Sequence, residues 1–136
     1  MGVPKHRAPA VVEASGLAEG GWATVNPRTL ETKFQNVCAI GDIANTGTRK
    51  AGVFAEGAAA AVAASLVSRI RGEGEGSLYA GAGTCYIEFG SGRIGRVDVD
   101  FFSGQKHTGA YHEPSTALRE DKERFGASRR ARWFGL

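Results

Sequence analysis

One long segment of the chain carries apolar residues at helical spacing and predicts an α-helix over residues 53–71. Arg69 and Arg71 lie in its last turn and Gly72 follows, a typical carboxyl end for a helix. Gly57 lies inside the pattern, where glycine costs about 1 kcal/mol relative to alanine. We therefore expect Gly57 to allow the close approach of another group. The apolar positions are Val53, Phe54, Ala58, Ala61, Val62, Leu66 and Ile70.

Alternating apolar and polar residues predict strands later in the chain. Residues 93–102 alternate in this way, and residues 84–89 form a strand-like run before them. Residues 90–95, which begin between these two runs, match Gly-x-Gly-x-x-Gly. This pattern binds dinucleotides where a helix follows it. Because an alternating strand follows here, the glycines predict a turn between two antiparallel strands.

Two shorter features are predicted in the first third of the chain. Residues 22–25 and 29–34 flank the turn signal Asn26-Pro27-Arg28 and predict a hairpin. Residues 37–40 form an apolar run stopped by Gly41-Asp42, which is typical of a strand buried on both faces that ends at a ligand-facing edge.

The two ends of the chain differ in character. Residues 1–14, which contain Pro4 and Pro9, predict an extended segment. Residues 114–125 alternate in charge and favour a polar helix. The net charge of +3 is concentrated at residues 119–132, where six basic residues stand against three acidic ones. The rest of the chain has no basic stripe with interleaved aromatics, which argues against a nucleic-acid-binding module.

The composition indicates neither a metal site nor a disulfide scaffold. Cys38 and Cys85 are far apart and form no Cys-x-x-Cys pair. His6, His107 and His112 share no metal-ligand spacing, which favours solvated loops for them. The apolar helix is rich in alanine and is interrupted by an acidic residue, so we do not expect it to span a membrane.

The segment around Gly41 combines features that suit an anionic or hydroxylated ligand. A glycine at a strand end lets a ligand approach the backbone, and the carboxylate of Asp42 can accept a hydrogen bond from a ligand hydroxyl. The amino end of the long helix follows, where free N–H groups and a positive field favour negative charge. By themselves these residues also fit a structural turn with a helix cap. The residues at this helix end are Lys50, Ala51, Gly52 and Val53.

Residues 32–42 together with 49–57 resemble the second flavin motif of the pyridine nucleotide-disulfide oxidoreductase superfamily, in which a short apolar strand after a threonine ends in Gly-Asp. The resemblance implies FAD as cofactor, with Asp42 hydrogen-bonded to its ribityl chain and Gly41 admitting that chain. It also implies that residues 50–53 lie under the pyrimidine edge of the isoalloxazine ring.

Within that superfamily, residues 50–56 and Thr84-Cys85-Tyr86 are similar to sulfide:quinone reductases and flavocytochrome c sulfide dehydrogenases. In these relatives a cysteine at the Cys85 position forms a redox-active pair with a cysteine of the N-terminal half. The resemblance implies attack of sulfide on that disulfide, then electron transfer from a thiolate to the flavin. From the residues alone, Cys85 is expected to be a small hydrophobe in a strand, and the resemblance leaves this interpretation and the redox role equally open. Cys38 among apolar neighbours is expected to be inert core.

The resemblance implies an α/β to α+β fold. Residues 1–72 are predicted to be the C-terminal part of a three-layer FAD-binding domain, and 73–83 a Gly-rich linker. Residues 84–136 are predicted to be a mainly antiparallel interface or dimerisation domain with a C-terminal helix and basic tail. The tail ends in Trp133 and Phe134, which suit a membrane surface, the protein's own fold or a twin subunit.

The implied parent is an oxidoreductase that passes electrons from a reduced sulfur compound or NAD(P)H through FAD to a quinone or c-type cytochrome. It lies in the cytoplasm or at a membrane, or in the periplasm if it is flavocytochrome-like. Lacking the N-terminal FAD/NAD-binding part, this chain alone is expected to be inactive, to bind FAD weakly or not at all, and to form homodimers or exchange domains. The alternative is a non-enzymatic oligomerisation or partner-binding module that uses the hairpin and the basic tail.

Overall fold

The computed structural model describes residues 6–136, so the start of the predicted extended segment, with Pro4, lies outside the described residues. Over the described range the chain forms two three-stranded sheets and three α-helices, which confirms a mixed α/β architecture. A short helix lies within the segment predicted to be extended. The elements are α1 (Ala10–Ala14), β1 (Ala18–Glu19), β2 (Trp22–Thr24), a 3-10 turn (Gly41–Ile43), β3 (Ala44–Asn45), α2 (Gly52–Arg71), β4 (Ala82–Glu88), β5 (Ile94–Asp100), β6 (Thr108–Ser115) and α3 (Leu118–Phe134).

The first sheet is mixed and is built around β2. β1 and β2 are antiparallel and joined at Gly20 and Gly21, which both have positive φ, while β3 runs parallel to β2. The predicted hairpin between residues 22–25 and 29–34 is therefore wrong, because β2 takes other partners on both sides. A turn does form at Asn26, whose side-chain oxygen accepts hydrogen bonds from the backbone N–H groups of Arg28 at 2.9 Å and Thr29 at 3.0 Å.

The predicted strand over residues 37–40 is not formed. Among the described residues this run makes one isolated strand-like bridge, between Glu31 and Cys38. Val37 and Ile40 each keep 37% of their surface exposed. Since no strand of residues 6–136 lies beside the run, it is not buried on both faces, and Cys38 is half-buried rather than core.

The helix α2 confirms the long helix predicted from the apolar spacing. It ends at Arg71, and Gly72 closes it in the left-handed conformation with φ 69°. The expected close approach at Gly57 is also present, because a Cβ there would lie 3.3 Å from Cε2 of the buried Tyr79. Tyr79 thereby joins α2 to the first sheet. The buried cluster comprises Ala8, Val12, Ala23, Val25, Leu30, Ala39, Ala44, Ala58, Ala61 and Tyr79.

By length and composition alone, α2 is also long and apolar enough to cross a membrane. Its most apolar 18-residue window has a mean hydropathy of 1.5. Within the helix, Phe54, Ala58 and Ala61 are buried, and Glu56 is ion-paired with two arginines of α3. That α2 does not span a membrane stays a prediction.

The second sheet is antiparallel in the order β4-β5-β6. Its first two strands confirm the predicted hairpin, and Gly90, Ser91 and Gly92 between them all have positive φ, as a glycine turn requires. β6 was not predicted. His112 lies on it with Nε2 2.9 Å from Oδ2 of Asp98, so the loop position expected for this histidine is wrong.

The helix α3 begins later than predicted and continues further, because Pro114 belongs to β6. It is attached to the sheet through Asp121. One oxygen of that carboxylate, Oδ2, accepts hydrogen bonds from the Tyr86 hydroxyl at 2.8 Å and from Arg96 Nη1 at 2.9 Å. Asp98 lies beside this junction on β5, where Arg96, His112 and Thr84 surround its carboxylate. α3 thus covers the polar face of the sheet.

We expect replacement of Gly57 by valine to lower the free energy of unfolding by about 1–3 kcal/mol, because a branched side chain has no room against the Tyr79 ring. The matched control is Ala60→Val on the exposed side of the same helix, which should change stability little. Urea denaturation measures both. Equal stabilities for the two variants would contradict close packing at Gly57.

Stability should fall in acid through Asp98. Partial burial alone would raise the pKa of Asp98, but hydrogen bonds from Arg96, Thr84 and His112 outweigh it and lower the pKa from 3.8 to about 2. The stabilisation is therefore complete above pH 3.8 and is lost as the pH falls towards 2. The melting temperature of Asp98→Asn should fall less steeply over that pH range than the melting temperature of the parent chain. Glu120→Gln, at an exposed carboxylate, should keep the parent slope.

Candidate functional site

The Gly41-Asp42 pair forms a tight turn in front of α2. Ile40 is extended, and Gly41 has φ 74°, a conformation that glycine adopts without steric cost. A Cβ at Gly41 would lie 3.8 Å from the Cβ of Ala55, an ordinary contact, so the backbone conformation rather than space requires glycine here. Asp42 is exposed at the start of the 3-10 turn. The turn therefore presents an exposed carboxylate beside the first turns of α2.

The amino end of α2 carries the partial positive charge of the helix dipole. Ala51 is extended and is the residue before the helix, and among residues 6–136 no side chain caps it. The first N–H groups of a helix have no partner inside it, and the helix dipole places partial positive charge there. The first turn has no acidic residue to neutralise that charge. The N–H groups of Gly52 and Val53 are thus suited to an anionic group.

Lys50 is engaged with the turn rather than extended into solvent. Its Nζ donates hydrogen bonds to the backbone oxygens of Asp42 and Ala44 and lies 3.7 Å from the centroid of the Trp22 ring. Partial burial lowers the pKa of Lys50, and the nearby charge of Asp42 opposes this shift. Lys50 therefore fixes the Gly41-Asp42 turn against β2 and β3.

Three hydroxyl groups that the sequence did not single out lie beneath this turn. The Thr46 and Thr48 hydroxyls are 2.8 Å apart, and that of Thr48 is 3.4 Å from the Tyr79 hydroxyl. Burial raises the pKa of Tyr79. The space they enclose with Gly41, Asp42, Lys50 and Ala51 is about 10 Å³, no more than one water needs. A larger ligand at this turn must lie on its outer surface.

Cys85 lies on the sheet face that meets the amino end of α2. A Cβ at Gly83 would lie 3.0 Å from Val53 and 3.1 Å from Phe54, so this face of β4 packs directly on the first helical turn. Alternate residues of a strand share a face, which places Cys85 on the same side about 7 Å further along β4. Phe101 of β5 adds an edge-to-face contact with Phe54 at 5.5 Å. In the part of the chain that the structure describes, both cysteines are free.

The structure thus brings together most of the residues predicted to form a site. Gly41, Asp42, Lys50 and Ala51 line one small cavity, and Gly52 and Val53 continue from it into the helix. An open depression of about 550 Å³ lies at the adjoining end of the second sheet, where Gly83 lines it together with residues of all three strands. Within residues 6–136 no group of three His, Cys, Asp or Glu side chains is placed to hold a metal ion.

Comparison with known proteins assigns no family to the chain. No protein-family model matches the sequence, and no curated protein matches it.

Replacement of Lys50 by methionine should lower the free energy of unfolding by about 1–2 kcal/mol, because its hydrogen bonds to two carbonyls and its contact with Trp22 are lost. Arg49→Met is the matched control, since Arg49 is an exposed neighbour of the same charge. Chemical denaturation with Trp22 fluorescence measures both. If the two variants are equally stable, Lys50 does not hold the turn.

Proposed function

We propose that this chain is the C-terminal part of an FAD-dependent oxidoreductase and supplies one wall of its flavin site. The observation that carries the proposal is the contact of Gly83 with Val53 and Phe54. Through it, the strand that bears Cys85 lies against a helix end that is positive and uncapped by any side chain of residues 6–136. An anion-favouring helix end, an exposed carboxylate on a glycine turn and a thiol on the adjoining face are the three parts that the resemblance to flavoenzymes requires.

The described residues fit FAD on the outer surface of the turn. The exposed Asp42 carboxylate can accept a hydrogen bond from a ribityl hydroxyl, and Gly41 leaves the backbone accessible there. The N–H groups of Gly52 and Val53 suit the negative charge of the pyrimidine edge of a reduced flavin. Lys50 contributes by holding the turn, since its ammonium group already binds two carbonyl oxygens. The flavin, when bound, accepts an electron pair and passes it to the next acceptor.

Cys85 is the residue of this chain that we assign to sulfur chemistry. It is half-buried on the face that meets α2, so part of its surface is accessible to a reactant. Cys38 is also free in the described structure, and we propose that the redox partner of Cys85 belongs to the N-terminal part of the parent protein. Attack of a sulfide nucleophile on one sulfur of that disulfide would form a new S–S bond, a persulfide on the attacked cysteine, and release the other cysteine as a thiolate. The flavin, if bound there, would supply the two-electron oxidant that this thiolate requires.

Apolar surface on this chain supports the idea of a larger parent protein. Ile70 keeps 85% of its surface exposed, and Leu66, Val67 and Leu78 are also exposed. Such a patch is typical of a covered interface. We propose that the nucleotide-binding part of the three-layer fold covers α2 here, and that the chain alone binds FAD weakly and dimerises.

The complete gene product should be yellow, with the visible absorbance bands of a bound flavin. Asp42→Asn in that protein should reduce the flavin retained at a fixed FAD concentration by about tenfold, because a charge-assisted hydrogen bond is lost. Glu75→Gln removes an exposed carboxylate away from the turn and should retain flavin normally. A colourless complete protein that binds a partner in a strongly salt-sensitive manner would support the binding-module alternative instead.

A further inference from the structure

Glu56 joins α2 to the C-terminal helix through two arginines. Its Oε2 accepts a hydrogen bond from Arg129 Nε at 2.8 Å and lies 2.7 Å from Arg129 Nη2, and its Oε1 accepts a hydrogen bond from Arg132 Nη1 at 2.8 Å. The Glu56 side chain is 13% exposed. Other ion pairs of α3, such as Arg119 with Glu123, lie at the surface and contribute little to the stability of the fold. Among the described contacts, the cluster of Glu56, Arg129 and Arg132 is therefore a partly desolvated link between α2 and α3.

A continuous series of contacts leads from this cluster to the strand of Cys85. The guanidinium carbon of Arg129 lies 3.5 Å from the centroid of the Phe125 ring. Phe125 makes an edge-to-face contact with Tyr86 at 5.1 Å, and the Tyr86 hydroxyl donates to Asp121. Tyr86 is the neighbour of Cys85 in β4 and points to the opposite face. α3 thus connects the first turns of α2 with the back of the Cys85 strand.

We propose that Glu56 is a positioning residue and that α3 is a clamp that holds the Cys85 strand against the amino end of α2. β4 is an edge strand, paired only with β5 within the described sheet, so packing from α2 and α3 must restrain its free side. α2 supplies that packing at Gly83, and α3 supplies it at Tyr86. The role of the clamp in catalysis rests on the proposed function, whereas the clamp itself is a property of this chain.

The charge arrangement explains why Glu56 is the anchor. Removing one partner of a partly buried ion pair leaves the other charge uncompensated, which costs more than the loss of a surface pair. Arg129 is itself only 23% exposed, so it loses its acceptor without gaining full hydration. The last turns of α3 should then separate from α2, while the first turns stay attached through Asp121.

The test measures the reaction rate of Cys85 with a soluble aromatic disulfide in a Cys38→Ser background, where Cys85 is the single thiol. Glu56→Gln should raise the rate about fivefold, because loss of a coupled interaction opens the clamp. Glu120→Gln removes a surface pair of the same helix and should leave the rate unchanged. Leu30→Val weakens the core away from the clamp and controls for a general loss of stability.

Amide hydrogen exchange gives a second readout of the clamp. Amide hydrogen exchange should accelerate in residues 129–134 of Glu56→Gln and stay slow in residues 118–124. Glu56→Arg combined with Arg129→Glu and Arg132→Glu should restore much of the protection. Arg132→Gln, at a more exposed partner, is the milder variant if Glu56→Gln fails to fold.

Unchanged Cys85 reactivity and unchanged exchange would overturn the clamp. Both readouts are independent of flavin, so a clamp without flavin binding would reject only the proposed function.

Discussion

The contact between Gly83 and the first turn of α2 is the constraint on which the arrangement depends. A Cβ at residue 83 would lie 3.0 Å from Val53 and 3.1 Å from Phe54, tighter than ordinary van der Waals contact, so glycine lets the edge of the second sheet lie directly on the helix end without displacing these side chains. Phe54 is buried in that junction and contacts Phe101. The junction connects the two sheets of the chain and places a thiol-bearing strand beside free helical N–H groups. Together with the Glu56 cluster, it fixes the position of the Cys85 strand relative to the turn at Gly41.

Charge is distributed around this junction in three separate ways. The helix end itself is positive and has no acidic residue in its first turn. The nearby ammonium group of Lys50 donates its hydrogen bonds to backbone carbonyls, so it stabilises the turn while its positive charge stays beside the helix end. Glu56, two residues after Phe54, is neutralised by Arg129 and Arg132 on the side that faces α3. The negative charge of Glu56 therefore does not cancel the positive end of the helix.

Local signals determined how much of this could be predicted from the sequence. α2 and the β4–β5 hairpin follow from regular spacing and from glycines with positive φ, which depend on neighbouring residues alone. The strand predicted at residues 37–40 is wrong, because a buried strand needs partner strands from elsewhere in the chain. β6 was missed because an exposed edge strand with Gly109 and Pro114 has weak alternation. The meeting of Cys85 with α2, the hydrogen bonds of Lys50 and the pairing of Glu56 arise from tertiary packing, which no local pattern encodes.

The most direct test of the account is the contact at Gly83 itself, measured in solution by nuclear Overhauser effects in an isotopically labelled chain. Packing of Gly83 on the helix end predicts strong cross-peaks between the Hα protons of Gly83 and the methyl groups of Val53, together with cross-peaks between the rings of Phe54 and Phe101. If these cross-peaks are absent while those within α2 and between β4 and β5 are present, the two elements do not meet. The proposed flavin wall would then be contradicted.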